Sequence, residues 1–429
     1  MTQTAIAVTA ADVAALGLPA SGAEAIDEIR SIEALKCALE ARQARLALVV
    51  EADQRDRAEA AGVPTARRSR GVAAQIALAR RVSPSRGAIL LGLAHRLSNQ
   101  LPHTWEAFLT GHISEWRATL IARDTACLSS EHAAVVDHRI AADPIALEAR
   151  GDREITGTIL AISAQLDAAA MVKRRRRAET DRRVWVRPAP DSMVYLTALL
   201  PMKTGIAAYA ALKRAAETAV STGRSPSSGQ AMADELVRRV TGCDGLVPPV
   251  RLNLVMSADT VFSDTVFSDT VFSDTAGTCI LDGQPIPADV ARELLADNLT
   301  SAEKTRVRRL FAKPESGALI AMESTSRLFP TGLADLIRLR DRYCRTPWCD
   351  APIRHIDHPE EFQAGGPTTL TNGQGLCEAC NHAKQAPGWS AATSTTNDTG
   401  RHSVTTHTPT GHSYHSTAPP MSPALVLAT

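Results

Sequence analysis

The chain has 429 residues, of which 44% are apolar and 22% charged, with a formal net charge of +1. That length exceeds one ordinary core, so two or three domains are expected. The near-neutral balance excludes a uniformly basic nucleic-acid binder and confines any electrostatic footprint to local patches.

In chain order, the opening stretch MTQTAIAVTAADVAALGLPASGAEAIDEIRS lacks a basic segment ahead of an apolar run. It reads as a flexible leader over 1–25 and not as a signal peptide. The longest apolar runs, such as LALVV at 46–50, are far too short to span a bilayer. A soluble, cytoplasmic protein without a membrane partner is the resulting expectation. Residues 26–180 predict a helical domain rich in alanine, leucine and arginine. Ile32, Leu35, Leu39, Leu46, Val49 and Val50 form an amphipathic stripe at spacings of three, four and seven. Gly62 and Pro64 break it, and Ser83 is expected as an N-cap with Pro84 at the first helical position. LSSEH at 128–132 reads as a capping-type join. LTGHISEWRATLIA at 109–122 fits either a helix-turn-helix with Arg117 exposed or a helical hairpin in a bundle. His95, His103, His112, His132 and His138 have no partner at metal-ligand spacing. The arginine-rich runs at 66–81 and 173–177 are either solvated faces or local nucleic-acid patches.

Beyond residue 180 the periodicity changes, and a small α/β section is expected over 181–335. Strands are predicted within RRVWVRPAPDSMVYLTALLP (182–201), VRLNLVMSA (250–258) and GALIAMES (317–324), with helices at AYAALKRAAETAV and QAMADELVRRVTG. The pentapeptide VFSDT occurs three times over 261–275, which is too short a period for a solenoid unit and reads as an insert in a surface loop.

Of the eight cysteines, Cys37, Cys127, Cys243 and Cys279 are scattered, whereas Cys344, Cys349, Cys377 and Cys380 cluster. In the clustered set, four residues separate the first pair and two the second, with 27 residues between the pairs. Two short knuckles flanking a loop are what a tetrahedral zinc ion with four thiolate ligands demands, so structural Zn2+ is expected on them.

The intervening segment holds Asp357 and His358 on a predicted strand, RHIDH, then Gly-Gly-Pro, Asn372, and the start of a helix, CEACNHAK. This pattern resembles the ββα-metal motif of HNH endonucleases. The chain as a whole resembles the actinobacterial "thirteen-E-twelve repeat" proteins, in which a helical domain of unknown function precedes an HNH module. ISEWRATL, MVYLTALLP and NGQGLCEACNHAKQAPGW carry that resemblance, which covers most of residues 30–420. It implies a multidomain, mainly α architecture: a helical N-terminal domain, a small α/β middle section and a zinc-containing ββα-metal module over 336–390. It also implies a metal-dependent endonuclease that hydrolyses DNA phosphodiester bonds. Neutral His358 can take a proton from water, and Asp357, on the opposite face of the strand, can hold Mg2+ or another divalent cation. By similarity Asn372 holds the imidazole in register, Asn381 is the last metal ligand, and Lys384 meets a phosphate. Arg338, Arg342, Arg345 and Arg354 surround the zinc and are expected to contact the DNA backbone. His355, sharing a face with Asp357, and His382 are auxiliary candidates.

Two departures from the family pattern stand out. Asn381 replaces the final histidine, giving His-Asn-Asn, and His358 is followed by Pro359, Glu360 and Glu361. Carboxylates intruding on the metal site would favour a decayed, mobile-element-associated DNA-binding protein; carboxylates facing solvent would favour the nuclease. The helical domain is left to targeting or homo-oligomerisation. The tail, 391–429, predicts a hairpin in RHSVTTHTPTGHSYHS and disorder over the last dozen residues.

Overall fold

The structure is a computed structural model, and it describes residues 9–190, 193–242, 254–255, 279–281, 284–293, 323–324, 327–394 and 400–419. The VFSDT repeats, Cys243, most of the strands predicted at 250–258 and 317–324, and residues 420–429 lie outside the described residues. The fold is mainly helical with small sheets, and the chain divides into two compact units, 1–72 with 86–175 and 73–85 with 176–429.

In the first unit, helices α1 (Ala10–Ala14) and α2 (Gly22–Ala60) both open on a capping box. The segment read as a leader therefore carries a short helix. Helix α3 (Val72–Ala79) falls almost wholly in the second unit, and in chain order there follow α4 (Pro84–Gln100), α5 (Pro102–Leu109), α6 (Glu115–Asp124), α7 (Ser130–Ala141), α8 (Pro144–Glu148), α9 (Asp152–Leu166) and α10 (Ala168–Thr180). Ser129 caps α7 through the His132 N–H, and Pro84 is the first residue of α4. Leu97, Leu101, Phe108, Ile121, Val136, Leu147, Ile155 and Ile159 form the core. Leu101 cannot cap α5, and buried Asp137 on α7 does so instead, accepting the N–H groups of His103 at 2.8 Å and Thr104 at 3.0 Å.

The apolar stripe of α2 is not its core-facing side. Ile32, Leu35, Leu39, Leu46 and Val49 are exposed, whereas Cys37, Ala41, Ala44 and Ala47 are buried. Small side chains allow a close approach here: a Cβ added to Gly111, at φ +83, would lie 2.5 Å from the Ala34 carbonyl oxygen. The 109–122 segment holds the end of α5, a short turn and most of α6. Arg117 donates to Asp152 at 3.1 Å and to the Glu148 carbonyl at 3.0 Å, so its guanidinium is committed to the fold.

Beyond α10 the second unit continues with an antiparallel ribbon, β1 (Arg183–Pro188) and β2 (Val194–Leu199), then a helical pair, α11 (Met202–Ser221) and α12 (Ser228–Thr241). Strands β3 (Leu254–Val255), β4 (Cys279–Leu281) and β5 (Gln284–Ile286) make one small sheet. Next come β6 (Glu323–Ser324), α13 (Thr331–Asp341), β7 (His355–Asp357), β8 (Thr368–Thr369), β9 (Gln374–Leu376) and α14 (Glu378–Lys384). β7 pairs with β9, and β6 with β8, both antiparallel. The tail hairpin, β11 (Ser403–His407) and β12 (Ser413–Thr417), gains a third strand, β10 (Ser390–Ser394). Among the described residues no single helix is long and apolar enough to cross a membrane.

Candidate metal centre

The first cysteine knuckle leaves α13 through a turn in which Cys344 N–H donates to the Ala351 carbonyl at 3.0 Å and Cys349 N–H to the Thr346 carbonyl at 3.1 Å. The second lies where β9 meets α14: Cys377 is the N-cap, and its sulfur accepts the Cys380 N–H at 3.4 Å. All four sulfurs are buried and lie within 4.8 Å of one another. Cys349 and Cys377 are 3.7 Å apart at sulfur. A tetrahedron with metal–sulfur bonds of about 2.3 Å has edges of about 3.8 Å, whereas a disulfide would require about 2.05 Å. Hydrogen bonds among the sulfurs draw Cys344 and Cys377 below the usual thiol range and push Cys349 and Cys380 above it. A bound cation would let all four ionise together, and an all-sulfur donor set is compatible with structural zinc.

A buried ionic lattice holds this centre against α13. Arg340 donates to the Leu370 and Gly373 carbonyls, both at 2.6 Å, and to Asp341 at 2.7 Å. Asp341 in turn accepts the Gly375 N–H at 2.7 Å. His402 from the tail sheet joins the same cluster, its Nε2 bonded to the Thr371 carbonyl at 2.9 Å. Burial, with Arg340 and Arg345 nearby and opposed by Asp341, lowers the His402 pKa from 6.5 to about 4. It is neutral in the fold but protonated in the unfolded chain between those values. Stability is therefore expected to be full above about pH 6.5 and to fall by up to about 3 kcal/mol as pH drops toward 4. Urea midpoints measured across that range test this, and His402→Phe should flatten the dependence.

Asp357 and His358 lie at the end of β7. Ile356 packs with Leu333, Ile337 and Leu370 below the strand, so Asp357 points to the other side. There its Oδ2 accepts from Gln374 Nε2 at 2.9 Å and Lys384 Nζ at 2.8 Å, while Oδ1 accepts no hydrogen bond among the described residues. His358 returns to the Ile356 side. Its ring lies 4.3 Å from that of Phe329 and 5.7 Å from that of Phe362, and its Nε2 is 2.9 Å from the Thr368 hydroxyl. Burial, more than the nearby Lys384 and Arg327, lowers its pKa, with Asp357 opposing, so the ring is neutral at physiological pH.

Several residues sit differently from the sequence reading. Asn372 does not touch the imidazole: it accepts the Glu360 N–H at 3.0 Å and donates to the Glu360 carbonyl at 3.0 Å and the Pro367 carbonyl at 2.9 Å. It shapes the loop beneath His358, and Thr368 holds the ring. Gly366 is required beside it, because an added Cβ would meet the Glu360 carbonyl oxygen at 2.0 Å. Lys384 is buried and committed to Asp357 and to the His358 carbonyl, so it is not free to meet a phosphate. Arg345 is likewise buried, donating to the Ser416 carbonyl at 2.6 Å. Arg338 is exposed but paired with Asp335, Arg342 is half-buried, and Arg354 and His355 are exposed. Asn381 is half-buried in the middle of α14, His382 is exposed, and Glu360 and Glu361 face solvent. Thr368, Gln374, Arg340 and Asp341 were not singled out from sequence.

Fold and site together define a mainly helical protein whose C-terminal part carries a four-cysteine centre compatible with structural zinc, beside an aspartate–histidine pair. The chain belongs to the family described as a domain of unknown function, DUF222, whose profile matches residues 28–341. No curated protein and no solved structure matches the chain.

Proposed function

We propose that the chain is a metal-dependent HNH-type endonuclease of the thirteen-E-twelve kind, hydrolysing DNA phosphodiester bonds at a C-terminal ββα-metal module. The observation that carries this reading is the tethered imidazole of His358 directly after Asp357. Nε2 lies 2.9 Å from the Thr368 hydroxyl; in the tautomer that donates its Nε2 proton there, Nδ1 keeps its lone pair and can accept a proton from water. Asp357, through Oδ1, and the Asn381 amide would hold the catalytic cation; two oxygen donors suit Mg2+ or Mn2+. Such a cation supplies charge stabilisation at a phosphate. Solvent-facing Glu360 and Glu361 leave this site free of further carboxylate charge, which supports hydrolysis.

One observation favours a decayed, DNA-binding alternative: Lys384 already places a positive charge on Asp357. Incubating purified protein with supercoiled plasmid decides between them. Nicking that requires added Mg2+ or Mn2+ is expected. Zinc-loaded protein that binds the plasmid but fails to cut it with either cation would establish the alternative. Thr368→Val, nearly isosteric at a fully buried position, should slow nicking about tenfold by releasing the ring, as one lost hydrogen bond predicts. An unchanged rate would remove Thr368 from the site.

A further inference from the structure

The ribbon formed by β1 and β2 has two unlike faces. Its register puts Arg183, Trp185 and Arg187 opposite Leu199, Thr197 and Tyr195 on one face, and Val184 and Val186 opposite Ala198 and Leu196 on the other. On the first face, the Arg187 guanidinium lies 4.2 Å from the centroid of the Tyr195 ring and that of Arg183 lies 5.3 Å from the Trp185 ring. Both rings face solvent, Trp185 at 39% and Tyr195 at 48% of full exposure. Arg174 is committed to Asp124. By contrast, Arg176 and Arg177, at the end of the helix preceding the ribbon, and Arg183 and Arg187 have no carboxylate partner among the described residues. Arg183 and Arg187 each lie against a solvent-exposed ring, and Arg176 and Arg177 precede them in the chain; such a combination of guanidinium groups and exposed rings matches a phosphate chain whose bases are free to stack. A duplex hides its base faces, so exposed rings gain little from it.

We propose that this ribbon face binds single-stranded DNA, with Trp185 and Tyr195 stacking on bases and Arg176, Arg177, Arg183 and Arg187 meeting phosphates; the choice of DNA over RNA rests on the nuclease reading. Binding is measured apart from cutting, by anisotropy of a labelled thymidine oligonucleotide with the full-length His358→Ala protein. Adding Trp185→Ala with Arg187→Ala should raise Kd about tenfold or more. Trp185→Phe, which keeps a ring, should nearly preserve binding. Removing Arg183 and Arg187 together should make the salt dependence shallower by about 0.7 per lost phosphate contact. The proposal is overturned by affinity that survives the alanine changes, by Trp185→Phe weakening binding as much as Trp185→Ala, or by duplex or RNA binding more tightly than the single strand. Parent protein that binds the oligonucleotide through this face but never nicks plasmid overturns only the nuclease reading.

Discussion

Replacing Cys377 with serine is expected to abolish zinc binding and melt the module around it. Cys377 does two things: its sulfur belongs to the buried cluster, and it caps α14 by accepting the Cys380 N–H. Serine can still cap a helix, so the substitution separates the metal from the cap. Among the described residues the apolar core available to the module without metal is small, consisting mainly of Leu333, Ile337 and Leu370 with Phe329, Leu336 and Ile356 packed against them. Small modules of this kind draw about 10–16 kcal/mol from a structural zinc ion, far more than such a cluster supplies. Elemental analysis should find one zinc per parent chain and none in Cys377→Ser, and limited proteolysis should cut the variant after α13. The helical core around Phe108 and Ile155 contains none of the four cysteines and should keep its far-ultraviolet signal. A variant that retains zinc and resists protease would rule out the four-sulfur site.

Local chemistry was legible in the sequence; packing choices were not. Cysteine knuckles, the Ser129 cap, the β1–β2 ribbon and the tail hairpin each follow from a few neighbouring residues, and each appears at its expected place. The burial of α2 did not follow, because periodicity shows that a helix has two faces without saying which one a neighbour covers. Alanines at 41, 44 and 47 won that contact by permitting close approach, leaving the larger side chains outside. The arginines show the same limit. Arg338 and Arg342 are expected at a DNA surface from their place beside the zinc, yet Arg340 between them ties α13 to the module through two carbonyls and Asp341. Asn372 and Lys384 were assigned their roles by resemblance, and both are instead satisfied by groups brought close only through tertiary folding.

His358→Ala is expected to reduce the nicking rate by about 10²–10⁴-fold, the usual contribution of a positioned general base, while zinc content is unchanged. The ring is only half-buried, and it packs on Phe329 and Phe362 rather than on the cysteines, so its removal leaves the metal cluster intact. The parent's pH profile carries a second test. Burial, helped by Lys384 and Arg327, holds the imidazole below its ordinary pKa of 6.5. The base form therefore persists on the acid side, and the rate should stay level through neutrality and fall only below about pH 6.5. Lys384→Met removes one of the charges lowering that pKa and exposes Asp357 Oδ2, which raises it further, so the acid limb should move toward neutrality. The same change removes the positive charge already paired with Asp357, and the concentration of Mg2+ needed for half-maximal nicking should drop. If His358→Ala nicks as fast as the parent, the imidazole is not the base. If Lys384→Met leaves both the acid limb and the Mg2+ requirement where they were, Asp357 is not the residue that couples the base to the metal.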